Sequence, residues 1–408
     1  MNEPQSTAVR PLLLVLIAAA GTFALTMGAR QSMGLFVGSI NTQTGLGLAS
    51  VSLAFAFGQL WWGLTQPLAG IVTDRYGPGR VLVVGVLLVA LGTALIPMMT
   101  STAGLILAIG VLAAGGAGMA GPSTLMAAAT RLVPPEKRGL ATGIVNAGGS
   151  FGQFVFAPVA QAITTAAGWM VAVQTLAALT LLALPAAWVL RAPPRPATPA
   201  AGTAPREGTG AAVKRALADP SYRLLAAGFF VCGFHVAFLG THLPGVVAAC
   251  GLPPAVGAWS LAVLGLFNII GSLGIGWLMS AGPWRMKSLL SAIYAVRALA
   301  VLVFVLAPKT TPVMLIFAAV MGLTFLSTVP PTAGLVARFF GAANMATLFG
   351  LVMVTHQIGG FLGAWLGGKA FEANGSYDWM WYADIVLAVG AALLHLPIVE
   401  KRPVTATA

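Results

Sequence analysis

The chain has 408 residues, of which 58% are apolar and only 7% charged, with a formal net charge of +12. Soluble domains carry roughly 25% charged residues, so a soluble globular domain is excluded and the chain reads as an integral membrane protein. The basic residues are scattered one to three at a time between apolar runs and form no stripe, which sets nucleic-acid binding aside in favour of membrane topology.

Spanning a hydrocarbon core takes about 20 residues of helix. Apolar runs of that order fall at 12–38, 49–73, 80–98, 103–130, 140–166 and 169–190. The polar start, Met1 to Arg10, leads into a run too long for a signal-peptide core and without a clear cleavage site, so an uncleaved first span is expected. Residues 191–222 are rich in Pro, Ala, Gly and Thr and carry five scattered basic residues up to Arg215, the composition of a flexible, disordered linker. Six more runs follow at 223–249, 255–280, 286–307, 312–338, 345–370 and 379–398. The expected fold is an all-α membrane protein with twelve transmembrane helices. It divides into an N-terminal six-helix bundle (1–190), a linker (191–222) and a C-terminal six-helix bundle (223–408). Cys232 and Cys250 are too far apart along one helix for a disulfide.

With the N-terminus inside, all but four of the 21 basic residues fall in cytoplasmic segments; the four are Arg30, Arg297, Lys309 and Lys369. Both termini and the linker are therefore expected in the cytoplasm, in a cell membrane.

Between spans 2 and 3 stands a polar interruption, Gly70-Ile71-Val72-Thr73-Asp74-Arg75-Tyr76-Gly77-Pro78-Gly79-Arg80. Its glycines permit a tight turn, Asp74 is suited to accept bonds from backbone amides at a neighbouring helix start, and the arginines to pair with acids or lipid phosphates. A plain topology anchor would look similar. The halves repeat weakly. Gly148-Gly149-Ser150-Phe151-Gly152 in span 5 matches Gly359-Gly360-Phe361-Leu362-Gly363 in span 11, and Gly28-Ala29-Arg30 parallels Gly233-Phe234-His235, which pairs Arg30 with His235. The second copy of the charged loop, Gly276 to Lys287, has Ser280 in place of Asp74 and reads as a decayed latch.

The pattern G-x-x-x-D-R-x-G-x-x-R after the second span resembles the signature loop of the major facilitator superfamily of secondary transporters. The resemblance implies a cytoplasmic latch made by Gly70, Asp74, Arg75, Gly77 and Arg80, with Asp74 as the acceptor. It also implies that the first, second, fourth and fifth helices of each half line a central path, braced by the third and sixth. Glycine runs in spans 4, 5 and 11 suit either the mobile contacts of rocking halves or static packing.

Ionisable residues inside spans are costly and are functional candidates by default. Arg30 lies in span 1 with no acid in that span to neutralise it; it either faces the path or snorkels to the outer interface. His235, deep in span 7, is a candidate titrating group or a packing histidine. Arg297, mid-span 9, is expected to bond helix-end carbonyls, reach Asp384 of span 12, or face the path. His356 and Gln357 of span 11, with Asn146 at the repeat position of Gln357, either hold a carboxylate or bond helix to helix. His242 and His395 lie near span ends and read as interfacial. The path helices contain arginine and histidine but no acid, so the path is expected to be electropositive and to concentrate small anions.

Arg30-Gln31-Ser32-Met33-Gly34-Leu35-Phe36, Thr355-His356-Gln357 and Gly375-Ser376-Tyr377 resemble the bacterial branch related to monocarboxylate transporters and oxalate/formate exchangers. That family has a basic residue late in span 1, which Arg30 matches, and an Asp and an Arg four residues apart in span 8, which here are Asn268 and Ser272. The departure leaves Arg30, His235 and Arg297 to replace that pair. Taken with the resemblance, the expected function is secondary transport of a small organic anion, a monocarboxylate, by proton symport or anion exchange. The alternative is an exporter of drugs or toxic compounds by proton antiport, with Trp61, Trp62, Met119 and Met126 as apolar walls. No nucleophile–base set, metal-ligand cluster or phosphate loop is legible, so neither enzymatic activity nor a cofactor is expected. Expected partners are the anion, protons and membrane lipid, with the chain a monomer.

Overall fold

A computed structural model describes residues 12–192, 209–341 and 345–400. Among the described residues, ten helices are long and apolar enough to cross a membrane: Leu12–Thr44 (span 1), Leu48–Tyr76 (span 2), Pro78–Met98 (span 3), Thr102–Leu132 (span 4), Trp169–Val189 (span 6), Pro220–Ala249 (span 7), Pro254–Ala281 (span 8), Met286–Leu306 (span 9), Thr311–Phe340 (span 10) and Thr347–Asn374 (span 11). Arg138–Ala167 and Asp378–His395 supply spans 5 and 12. The expected runs and the helices coincide to within a turn or two. Gly77, at φ +84°, carries the chain from span 2 to span 3 in a conformation that L side chains resist, and Pro78 opens span 3 where its missing N–H is no loss.

The linker is shorter than its composition implied. Thr209–Ala218 is a helix, whose Val213 and Ala216 pack into the apolar cluster around Tyr222 and Leu225. Asp219 then caps span 7, its Oδ1 accepting from the backbone N–H of Ser221 at 2.8 Å, with Pro220 at the first helical position. Residues 193–208 lie outside the described residues, as do both chain ends, so the disorder expected there and the positions of Arg10, Arg195, Arg206, Lys401 and Arg402 do too.

In each half the glycine run presses its helix onto the first helix of that half. Gly148 and Gly152 lie against the carbonyls of Ala20 and Ala24; Gly359 and Gly363 lie against those of Phe230 and Phe234. A Cβ at any of the four would collide with backbone, so these contacts are close packing within a half. They also correct the register of the repeat. Ala20 corresponds to Phe230 and Ala24 to Phe234, which matches Arg30 with Gly240, and His235 with Leu25.

The two halves meet along spans 2 and 11 and along spans 5 and 8. On the first seam Glu372 Oε2 accepts from the Ala49 N–H at 2.7 Å, Phe57 meets Phe361 edge-on at 5.6 Å, and Gln357 packs over Gly63. On the second, Asn268 Nδ2 donates to Ser150 Oγ at 2.8 Å, and Gly265 rests on the Ser150 carbonyl. These contacts run from the end of spans 2 and 11 opposite the Gly70–Arg80 loop to the middle of the helices. Toward the loop, Leu68 and Ile71 of span 2 and Leu273 and Trp277 of span 8 are exposed. The seam is closed at the end opposite the loop.

Spans 4 and 10, equivalent in the two halves, are both broken. Span 4 turns at Ala120 and Gly121 before Pro122, and span 10 stops at Thr324 and resumes at Val329 ahead of Pro330 and Pro331. Proline cannot donate to the preceding turn, so each break leaves backbone groups that need other partners.

Candidate substrate site

Arg30 stands where span 1 faces the seam. Its Nη2 donates to Gln59 Oε1 of span 2 at 2.5 Å, and its guanidinium lies 5.0 Å from the Trp62 ring centre. Gln59 in turn lies beside Gly360 of span 11. The guanidinium is therefore held between spans 1 and 2 and does not snorkel to an outer interface. Both of these partners are neutral. Among the buried side-chain donors without a partner on the helices around the seam are Trp62 Nε1, Gln153 Nε2 and Gln357 Nε2. A half-buried cation beside the unmet Trp62 N–H, on a seam with further unmet donors, is an arrangement that an acceptor with negative charge completes. Gln59 was not singled out from the sequence. The available signal was a polar residue in the middle of span 2, the helix next to an arginine that lacked an acid.

His235 does not join Arg30. Its ring is buried, with Nε2 at 3.2 Å from the Asp384 carbonyl and 3.3 Å from Asp384 Oδ1, inside the C-terminal half. Arg297 is also buried there; Nη2 donates to the carbonyls of Thr324 and Phe325, the latter at 2.6 Å, and so closes the break in span 10. Bonding to helix-end carbonyls was one of its three expected roles. Asn268 serves the same break from the other side, its Oδ1 accepting from the Leu326 N–H at 3.0 Å while its Nδ2 holds Ser150. The position that is acidic in the resembled family thus carries a neutral side chain that bonds as donor and acceptor. His356 lies on the Phe229 ring at 4.9 Å, and Asn146 is exposed on span 5. His242 and His395, expected at the interface, lie among packed helices. Both are buried and bond carbonyls within the C-terminal half, those of Ala364 and Ala391.

At the loop, Asp74 pairs with the side chain of Arg131 at the end of span 4, where backbone amides had been expected. Arg75 lies over the Tyr76 ring at 5.2 Å, Arg80 is exposed, and Gly70 borders open space. The second half has a counterpart built differently. Arg338, at the end of span 10, bonds Glu400 Oε2 at 2.9 Å, and the Lys287 N–H bonds Glu400 Oε1 at 2.8 Å. An acid after span 12 thus does what Ser280 cannot. An apolar cleft of about 380 Å³ between the connecting helix, span 7 and span 11, lined by Leu217, Arg223, Phe230 and Ile358, lies apart from Arg30.

Residues 13–364 match the family model described as Major Facilitator Superfamily. Monocarboxylate transporter 13 of Rattus norvegicus is 26% identical over 388 residues, covering 94% of this chain and 88% of that protein. The oxalate:formate antiporter of Oxalobacter formigenes is 30% identical over 172 residues, 41% of this chain and 40% of its own. Among solved structures, a bacterial homologue of the human lysosomal transporter Spinster, in an inward-facing and unoccupied conformation, has a TM-score of 0.75 at 17% identity, covering 96% of this chain and 97% of its own.

Proposed function

Since the chain belongs to the major facilitator superfamily, a family of multi-pass membrane transporters, we propose that it carries a small organic anion, a monocarboxylate, by alternating access, with proton symport or anion exchange as the coupling. The observation that carries this reading is Arg30, whose bonded and stacked partners, Gln59 and Trp62, are both neutral. A carboxylate placed there gains a charge-assisted bond from the guanidinium and finds the unmet donors of Trp62 and Gln357 close to the same seam. The names of the relatives, monocarboxylate and oxalate:formate carriers, support the same substrate class. The substrate set proposed for binding is Arg30 with Gln59, Trp62 and Gln357; Asn146, Asn268, His235, His356 and Arg297 act around it or elsewhere.

We place the Gly70–Arg80 loop and both termini on the cytoplasmic side of the cell membrane, from the distribution of basic residues. In that orientation the closed seam is the outer one, and the conformation described opens inward. The halves, divided by the segment 191–222, rock about the Arg30 level. The test is uptake of labelled lactate into proteoliposomes by the parent and by Arg30→Gln. The parent is expected to accumulate label and the variant to lose most of the initial rate. Equal uptake by the two overturns the anion reading, and export of apolar cations undiminished by Arg30→Gln favours the drug-exporter reading.

A further inference from the structure

Asp384 is the one buried acid among the described residues. It sits in span 12, and neither carboxylate oxygen has a hydrogen-bond partner. His235 of span 7 faces it at 3.3 Å from Nε2 to Oδ1, with Nδ1 unmet. Arg297 is buried on span 9, which packs against span 12, yet its bonds go to the Thr324 and Phe325 carbonyls and, at 3.7 Å, to Cys232 Sγ, leaving Nε and Nη1 without partners. A buried acid with two open oxygens and a buried cation with two open nitrogens thus sit on neighbouring helices of one half, and the two are not bonded. Were both charged, their attraction in a low-dielectric interior would draw them together.

We propose that Asp384 and His235 form a proton-binding site within the C-terminal half, distinct from the Arg30 site, whose occupancy decides whether Arg297 closes the break in span 10. With a proton on the Asp384 carboxyl the pair of Arg297 and Asp384 has one net positive charge, and the guanidinium is free to serve the span 10 carbonyls, as observed. When that proton passes to solvent, one carboxylate charge appears, no other bond is made or broken covalently, and the open nitrogens of Arg297 turn toward it, loosening the break. Discontinuous helices at the centre of transporters are where ion binding and rocking meet. The other titratable groups against the site make their contacts elsewhere. Cys232 of span 7 contacts Thr328 Oγ1 at 3.1 Å, and Tyr294 of span 9 donates to the Gly228 carbonyl at 2.6 Å. His356 of span 11 packs on Phe229, and His395 of span 12 stacks on Tyr294. As the coupling-proton site this rests on the transport reading; as a titrating carboxyl it does not.

The test needs no substrate. The full-length protein in lipid nanodiscs is titrated with hydrochloric acid while infrared difference spectra follow the carbonyl stretch of a protonated carboxyl. The parent is expected to show a band that appears with falling pH, is absent in Asp384→Asn, and has a midpoint moved by at least half a pH unit in His235→Gln. A parent with no titrating carboxyl band, or an Asp384→Asn spectrum like the parent's, overturns the proposal. If Asp384→Asn does not insert, His235→Gln decides alone, and an unmoved midpoint overturns it. Loss of lactate uptake in Arg30→Gln is a separate readout, so the band tests this site whether or not the anion reading fails.

Discussion

Arg131 at the end of span 4 donates to Asp74 in the loop that follows span 2, joining two helices of the N-terminal half at the open end of the seam. Asp74 is 54% exposed and Arg131 22%, so solvent and salt screen the pair and its contribution is at most about 1 kcal/mol. That is enough to shift a balance between two conformations about fivefold and too little to decide folding. Asp74→Asn and Arg131→Gln should each slow turnover by about that factor, leave the dissociation constant of lactate within about twofold, and in combination do no more than either alone. Initial rates and equilibrium binding measured on the same preparations check this. A defect confined to binding would be contrary to a latch.

The clasp at the closed end is between Glu372 and the start of span 2, where the Ala49 N–H donates at 2.7 Å across the halves. Glu372→Gln keeps an acceptor but removes the charge that a helix N-terminus favours. The expected result is a population moved toward opening at this end, read as a gain in accessibility of a cysteine placed at Ser52, a buried position on the seam, to a membrane-impermeant thiol reagent. A two- to fivefold faster labelling is expected, from about 0.3–1 kcal/mol for a charge at a helix end. Unchanged labelling would remove Glu372 from the clasp.

Glycines of the two first-helix seams cannot be enlarged. Gly152→Leu and Gly363→Leu place a side chain against the carbonyls of Ala24 and Phe234, and should abolish stable insertion. Gly143→Ala and Gly350→Ala, where nothing lies within 4 Å, should leave thermal stability unchanged. Fluorescence-detected size-exclusion profiles after heating separate the two groups.

The twelve helices were legible because lipid imposes length and apolarity on each one separately. The glycine runs were legible as a repeat, since close helix approach demands small residues whichever half they serve. What the sequence hid depends on partners far along the chain. Arg30 and His235 align through a glycine two residues before each, but the backbone contacts of Gly148 and Gly359 set a register that places Arg30 opposite Gly240. His235 meets Asp384, 149 residues away on a helix expected only to brace. Asn268 reads as a lost acid, and only the break in span 10 shows why an amide, able to donate to Ser150 and accept from Leu326, fits there. The helix Thr209–Ala218 was masked by the Pro- and Ala-rich composition before it, although Asp219-Pro220 is a legible helix start.

The central claim is that Arg30 selects negative charge, and the most direct measurement is equilibrium binding of lactate and of its neutral amide, lactamide, to the parent and to Arg30→Gln and Arg30→Lys. A charge-assisted bond contributes about 1.5–3 kcal/mol, and each 1.4 kcal/mol is tenfold. The parent should therefore prefer lactate over lactamide by about 10- to 100-fold. Arg30→Gln should lose that preference, and Arg30→Lys, which keeps the charge without the fork of donors, should fall between. Arg30→Gln binding lactate as tightly as the parent, or a parent that binds the two ligands equally, would contradict it.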